Sequence, residues 1–376
     1  MSAANLRVDT LPARSDAGRP HFCIVLLTGL GDVVNGLPLV NAIRDAYPQS
    51  RITWIAEPVP AAMIAGHRSI DRVVVYRRRD GLRGLLPLWR DLRAEEKMDV
   101  TLNLNVYFKS AWPTMFSLAP RRIGFGRDRA FEGVWLFSNE RLPAVPRSHT
   151  ADMFLELAQY LEIPVASPEW RIEFNELEIA ERTEFFSKLG SRPVVTIVPA
   201  SATHKKDWIA DRWATVANAL ERDFGFTVVI AGGPGDREQG IAREIVKLSH
   251  AHVHWGMSDS VRRLAWMLSG SSLVIAPDTG PVHIARALNV PVIGLYGHTN
   301  PWRVGPWRAF QDLWIDNYTE PGEQPDASNR SPKWNRMPTI TVSQVMEKVD
   351  YAVRNYNVMR THQVITQSAE TAANAI

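Results

Sequence analysis

The chain has 376 residues, 45% of them hydrophobic and 22% charged, with a formal net charge of +3. That is enough apolar material for the cores of two domains, and no apolar run approaches the roughly 18 residues that would span a bilayer. A single cysteine, Cys23, excludes an internal disulfide framework, and no Cys/His cluster points to zinc.

The segment through Pro20 is polar and lacks the apolar core of a signal peptide, so residues 1–20 read as disordered and the expected location is cytoplasmic. Phe22 to Leu27 is an apolar strand that runs into Thr28-Gly29-Leu30-Gly31-Asp32. A helix is expected from about Val33 to Tyr47, with Val33, Leu37, Val40, Ile43 and Ala46 at helical spacing. Strands at Arg51–Ile55, Arg72–Tyr76 and Val100–Leu104 continue a strand–helix alternation, the pattern of a parallel sheet covered by helices. As a dinucleotide fingerprint the first turn is poor, because Val34 stands where the third glycine belongs.

Positive charge is bunched in this half, at Arg77, Arg78, Arg79 and Arg83 and again at Arg121, Arg122, Arg127 and Arg129. Such clusters attract phosphates, acidic glycolipids or anionic membrane, although a solvated basic face reads equally well. No basic platform interleaved with aromatics argues for nucleic acid. Gly81 to Lys97 reads as an amphipathic helix that Pro87 must kink or start. A core-facing helix with basic edges is the expected role, and a membrane-surface helix is the alternative. A helix over His149–Leu161 closes the half. Residues from about Ile163 to Arg192, interrupted by Pro164, Pro168, Asn175 and Gly190, read as an interdomain link.

A second alternating unit begins with the strand Val194–Val198. Its exit loop carries Ser201, Thr203, Lys205 and Lys206 ahead of a helix start, a set of hydroxyl and ammonium donors that suits a diphosphate. The strand Thr227–Ala231 exits through Gly232-Gly233, where an acid, Glu238 or Asp236, is placed for ribose hydroxyls. The strand Leu273–Ala276 exits through Pro277-Asp278-Thr279-Gly280 into a short helix, and Val292–Leu295 is the next strand. A helix amino end favours phosphate, Gly280 admits a close backbone approach, and Thr279 adds a hydroxyl. Asp278 would repel phosphate, so it reads either as a helix cap or as an acceptor from sugar hydroxyls. His283 lies one turn beyond Thr279 on about the same face. After Gly297 the chain is a long irregular stretch rich in Trp and Pro, followed by a last helix over about Thr341–Tyr356.

Asp-Thr-Gly-x-x-His-x-Ala from Asp278, continued by Pro-x-x-x-Leu-Tyr-Gly-x-Thr-x-Pro through Pro301, resembles the donor-site signature of the heptosyltransferase family, glycosyltransferase family 9. Leu30-Gly31-Asp32-Val33, Lys109-Ser110, Arg122-Ile-Gly-Phe125 and Lys206-x-Trp208 resemble further stretches of that family, in the same order. The match covers most of the chain, from Phe22 to Phe310. The resemblance implies an α/β fold of the GT-B type, two Rossmann-like domains with parallel sheets facing a central cleft. Read onto this sequence, an acceptor-binding domain at 21–170 precedes a nucleotide-sugar-binding domain at 171–340. A helix at 341–360 crosses back to the first domain, and a disordered tail fills 361–376.

The same resemblance implies an inverting transferase that moves heptose from ADP-heptose to an acidic glycolipid, the lipopolysaccharide inner core, with peripheral contact to the inner membrane. Asp32 would be the base for the acceptor hydroxyl, although a helix-capping aspartate has the same sequence appearance. Lys206 would stabilise the leaving diphosphate. Ser201, Thr203, Glu238, Met257, Asp278, Thr279, Gly280 and His283 would complete the donor site, with Met257 on the adenine face. Gly31, Lys109, Arg122, Arg127 and Arg129 would lie near the acceptor. No metal or other cofactor is expected to be required, and nothing in the sequence compels Mg²⁺. Asn35 departs from the His common in relatives. Two rivals keep the fold and change the activity: a nucleotide-sugar epimerase, and a binding protein without transfer.

Overall fold

A computed structural model of the chain describes residues 19–165 and 167–359. The terminal stretches expected to be disordered, apart from Arg19 and Pro20, lie outside these described residues. Pro20 already joins the fold, its carbonyl accepting from the Arg51 N–H at 2.8 Å. The chain divides into two compact units. One holds residues up to Thr28, Gly36–Val145 and Ala151–Arg171. The other holds Gly29–Asn35, Pro146–Thr150 and everything from Ile172.

The first unit is built on β1 (His21–Val25), β2 (Arg51–Ala56), β3 (Arg72–Val75), β4 (Val100–Asn103), β5 (Arg121–Gly124) and β6 (Glu140–Arg141). All pair in parallel, in the order β3-β2-β1-β4-β5-β6. The helices are α1 (Leu30–Ala46), which belongs to this unit from Gly36 on, α2 (Pro58–Ile64), α3 (Leu82–Arg93), α4 (Ala111–Phe116) and α5 (Thr150–Tyr160), which belongs to it from Ala151 on. β1 and β4 are buried throughout and β2 from Ile52 on, which explains their largely apolar sequence. Cys23 lies fully inside, where burial pushes its thiol up to about 12, so it stays protonated and inert. Helix α1 begins at Leu30, three residues earlier than expected. Gly29 makes the turn with φ +83°, and Asp32 therefore sits inside the first helical turn. Pro87 neither starts nor ends α3, which opens five residues before it.

The second unit repeats the plan. Its strands are β7 (Val194–Ile197), β8 (Thr227–Gly232), β9 (Val253–Met257), β10 (Leu273–Pro277), β11 (Val292–Tyr296) and β12 (Ile315–Asp316). Their order is β12-β11-β10-β7-β8-β9, again all parallel. Around them lie α6 (Glu176–Ser187), α7 (Ala210–Phe224), α8 (Asp236–Leu248), α9 (Val261–Ser269), α10 (Gly280–Ala287), α11 (Pro301–Val304) and α12 (Val342–Asn355). Helix α6 falls inside the stretch read as a link. It is held by a capping box between Asn175 and Glu178, so the Asn that looked like an interruption is its start signal.

Helix α12 buries Val345, Val349 and Ala352 and packs on α7, β11 and β12 of its own unit. Its entry is pinned there, because Trp208 Nε1 donates to Ile340 O at 3.0 Å and Arg212 Nη1 to Pro338 O at 2.6 Å.

Each sheet has the Rossmann order, with a switch point where the chain direction across the sheet reverses. The switch lies between β1 and β4 in one unit and between β7 and β10 in the other. Ligands of open α/β sheets bind outside the carboxyl ends of the strands at such points.

Candidate functional site

At the second unit's switch point, the exit loop of β7 and the turn after β10 bring opposite charges together. Lys206 closes a short 3-10 turn, His204–Lys206, and its Nζ donates to Asp278 Oδ2 at 2.6 Å. Thr299 Oγ1 donates to the same oxygen at 2.7 Å. Asp278 is only 6% exposed. Burial alone would raise its pKa, but the Lys206 ammonium, the His283 side chain and the Thr299 hydroxyl outweigh burial and hold the carboxyl below its usual value. One oxygen that was expected to receive sugar hydroxyls is therefore already committed. The pair fixes an ammonium beside the amino end of α10. Thr279 is the N-cap residue there, and its side chain makes no capping bond. Gly280 brings the first helical N–H, while Pro281 carries none.

Gly29–Asn35 belongs to this same unit. A Cβ on Gly280 would lie 2.8 Å from Leu30 Cβ, so only glycine allows the α10 turn to come this close to the Leu30 side chain. Asn35 Nδ2 donates to His283 Nδ1 at 3.2 Å, which leaves the ring proton on Nε2. The imidazole lies directly over Gly31, where a Cβ would be 2.8 Å from Nε2. Burial, opposed by Asp278 and reinforced by His149 and Lys206, lowers the His283 pKa to about 4. His283 is thus a neutral donor at pH 7. Gly29 leaves room for the half-buried Asp32 carboxylate, which occupies the space a Cβ would take.

Two outcomes follow from this packing. The unfolded chain protonates His283 near 6.5 and the native chain only near 4, so its contribution is complete above pH 6.5 and lost as pH falls toward 4. Urea unfolding at pH 7.5 and pH 5 is expected to show about 2 kcal/mol more acid destabilisation in the wild type than in His283→Gln. Gly31→Ala is expected to lose about 1–3 kcal/mol of stability through overpacking on the imidazole, read as a lowered urea midpoint.

The exits of β8 and β9 form the next part of the site. Glu238 Oε2 accepts from the Gly233 N–H at 2.8 Å, and the Met257 Cε would lie 2.9 Å from a Cβ on Gly232. Glu238 and Met257 therefore border the same pair of glycines. Ser201 Oγ donates to Thr203 O at 2.7 Å and accepts from the Thr203 N–H, so Ser201 shapes the β7 exit loop from inside. The loop is braced by two residues that sequence reasoning passed over. Arg237 donates to both Asp207 Oδ2 and Ser201 O, and Asp207 Oδ1 accepts from the Ser201 N–H at 3.2 Å. Thr299 and His149, the latter bonded to Gly305 O at 2.9 Å, were missed as well. Thr299 had a signal, being the Thr of the Gly-x-Thr-x-Pro stretch.

In the first unit, Lys109 Nζ donates to Thr28 Oγ1, joining the exits of β4 and β1 at that unit's switch point. Arg122 donates to Ala119 O at 2.8 Å and Phe137 O at 3.1 Å, and Arg127 is exposed, over the Trp135 ring. Arg129 is a correction. It is 1% exposed, pairs with Glu156 and Asp128, donates to Pro143 O at 2.9 Å and stacks over Phe125. Its charge is neutralised inside the first unit, so it holds the fold and is not presented to an acceptor. Among the described residues, no three His, Cys, Asp or Glu side chains gather as a metal site.

Residues 85–332 match the model of glycosyltransferase family 9 (heptosyltransferase). The chain is 32% identical over 293 residues to the lipopolysaccharide core heptosyltransferase OpsX of Haemophilus influenzae, covering 78% of this chain and 83% of the relative. Its fold matches a glycosyl transferase family 9 structure from Veillonella parvula with a TM-score of 0.76 and 23% identity, covering 88% and 96% of the two chains. It also matches the E. coli heptosyltransferase WaaC with ADP-2-deoxy-2-fluoro heptose, with a TM-score of 0.67 and 20% identity over 88% and 99%.

Proposed function

The chain belongs to glycosyltransferase family 9, the heptosyltransferases, and from that premise we propose that it transfers heptose from ADP-heptose to the inner core of lipopolysaccharide. The observation that carries this reading is the Lys206–Asp278–Thr299 cluster at the amino end of α10, a fixed ammonium beside a helix start at a switch point. The heptosyltransferase relatives favour transfer over epimerisation.

In the proposed reaction the acceptor hydroxyl oxygen attacks the anomeric carbon as the bond to the diphosphate oxygen breaks, with inversion in a single displacement. Asp32 receives the hydroxyl proton, and ADP leaves with the electron pair of the broken bond. Lys206, Thr279 Oγ1 and the Gly280 N–H take up the negative charge developing on the diphosphate. Neutral His283 donates through Nε2 toward the sugar side. Glu238 receives ribose hydroxyls, and Met257 lies against the adenine. No residue is assigned a metal. Lys109, Arg122 and Arg127 serve the acidic acceptor, at the cytoplasmic face of the inner membrane. Among the described residues no helix is long and apolar enough to cross that membrane.

The test is incubation of the purified protein with ADP-heptose and heptose-free lipopolysaccharide. The expected result is stoichiometric ADP release with one heptose added to the acceptor. Isomerised donor with an unmodified acceptor, or donor binding without turnover, would overturn the reading.

A further inference from the structure

Helix α3 has two apolar faces, and the fold uses one of them. Gly84, Leu88 and Leu92 turn inward, Leu88 and Leu92 packing with Cys23, Val25, Leu27 and Ile55. Leu82, Leu86 and Trp89 recur at i, i+4 and i+7 on another face and are 85%, 50% and 43% exposed. Three large apolar side chains in one exposed stripe need an occupant that scattered surface residues do not. Helix α4 packs beside α3 and also exposes Trp112 and Met115.

The charge around the stripe names the occupant. Arg77, Arg79, Arg83 and Arg90 are exposed and make no ion pair within the described residues. Arg93 stacks on Trp89 at 5.8 Å, and Arg78 is the one of the run already paired, with Glu57 at 2.6 Å. Asp80 and Asp91 are the acids of the turn and helix, so the face is strongly cationic. We propose that α3 and the arginine turn before it lie in the surface of an anionic lipid bilayer. Leu82, Leu86 and Trp89 would enter the acyl boundary, with the guanidinium groups among the headgroups. This deepens the reading above, because a glycolipid acceptor resides in such a bilayer. Each arginine near an anionic surface contributes about fivefold to binding.

The experiment is co-sedimentation of the full chain with phosphatidylethanolamine vesicles, with and without phosphatidylglycerol. Binding is expected only with phosphatidylglycerol and should weaken at high salt. Arg83→Glu with Arg90→Glu, and separately Leu86→Ser with Trp89→Ser, should each lower it at least tenfold without shifting the thermal midpoint. Equal binding to both vesicle types, unchanged binding of the variants, or self-association through this face instead of vesicle binding would overturn the proposal. The assay needs neither donor nor acceptor. Variants that still bind vesicles therefore refute the docking face alone, whereas vesicle binding without heptose transfer refutes the proposed function alone.

Discussion

Asp32→Asn is expected to lower the turnover number for heptose transfer about a thousandfold while changing ADP-heptose affinity by less than about twofold. The substitution keeps shape and hydrogen-bonding reach and removes only the capacity to accept a proton. Asp32 sits in the first turn of α1. Such a carboxylate is a weak base toward a ground-state alcohol. In the proposed reaction it becomes competent late in the displacement, when the oxygen has begun to bond to the anomeric carbon and its proton has become acidic. The loss should therefore appear in turnover and spare donor binding. Gly29 sets the geometry, since its left-handed φ and missing Cβ leave room for the carboxylate. Isothermal titration with ADP-heptose beside a coupled ADP-release assay separates the two quantities. Near-normal turnover in Asp32→Asn would remove the base assignment.

Lys206→Met is expected to have the largest combined effect, because the proposed function gives this side chain a catalytic job beside its ion pair with Asp278. Losing the ammonium at the leaving diphosphate should reduce kcat/KM by about 10²–10³. The same change leaves Asp278 buried without its partner, which costs on the order of 3–5 kcal/mol of stability. The two effects can be parted. In Lys206→Met the stability penalty should shrink as pH falls, since protonating Asp278 removes the stranded charge. In the double variant Lys206→Met with Asp278→Asn, stability should largely return while activity does not. Urea midpoints across pH 4–8 with parallel kinetics make the check. Recovery of activity in the double variant would reduce the pair to a structural ion pair.

Much of this was legible in the chain itself. Buried parallel strands announce themselves as apolar runs, and the turns at Gly29–Asp32 and Asp278–Gly280 carry their glycines and acids where the strands end. The coupling of Lys206 to Asp278 was not legible. The two lie 72 residues apart, and a lysine and an aspartate that each face a ligand look the same in sequence as a pair facing each other. Arg129 shows the converse. It stands in a basic cluster with Arg127, yet folding draws it inward to Glu156, a partner 27 residues away. Helix α6 was hidden by prolines on both sides, although Asn175 and Glu178 spelled its capping box. In α3 the amphipathic character was plain, but density of apolar residues on one helix does not tell which stripe is buried. That depended on where Leu88 and Leu92 met the sheet.

In the proposed function the α10 turn grips the pyrophosphoryl group of an activated sugar, with Lys206 as its cation. A crystal structure of the protein with ADP bound tests it most directly. The expected result is the β-phosphate within hydrogen-bonding distance of Lys206 Nζ and the Gly280 N–H, with the ribose at Glu238 and the adenine against Met257. ADP bound elsewhere, with the α10 turn untouched and Lys206 still closed only on Asp278, would contradict it.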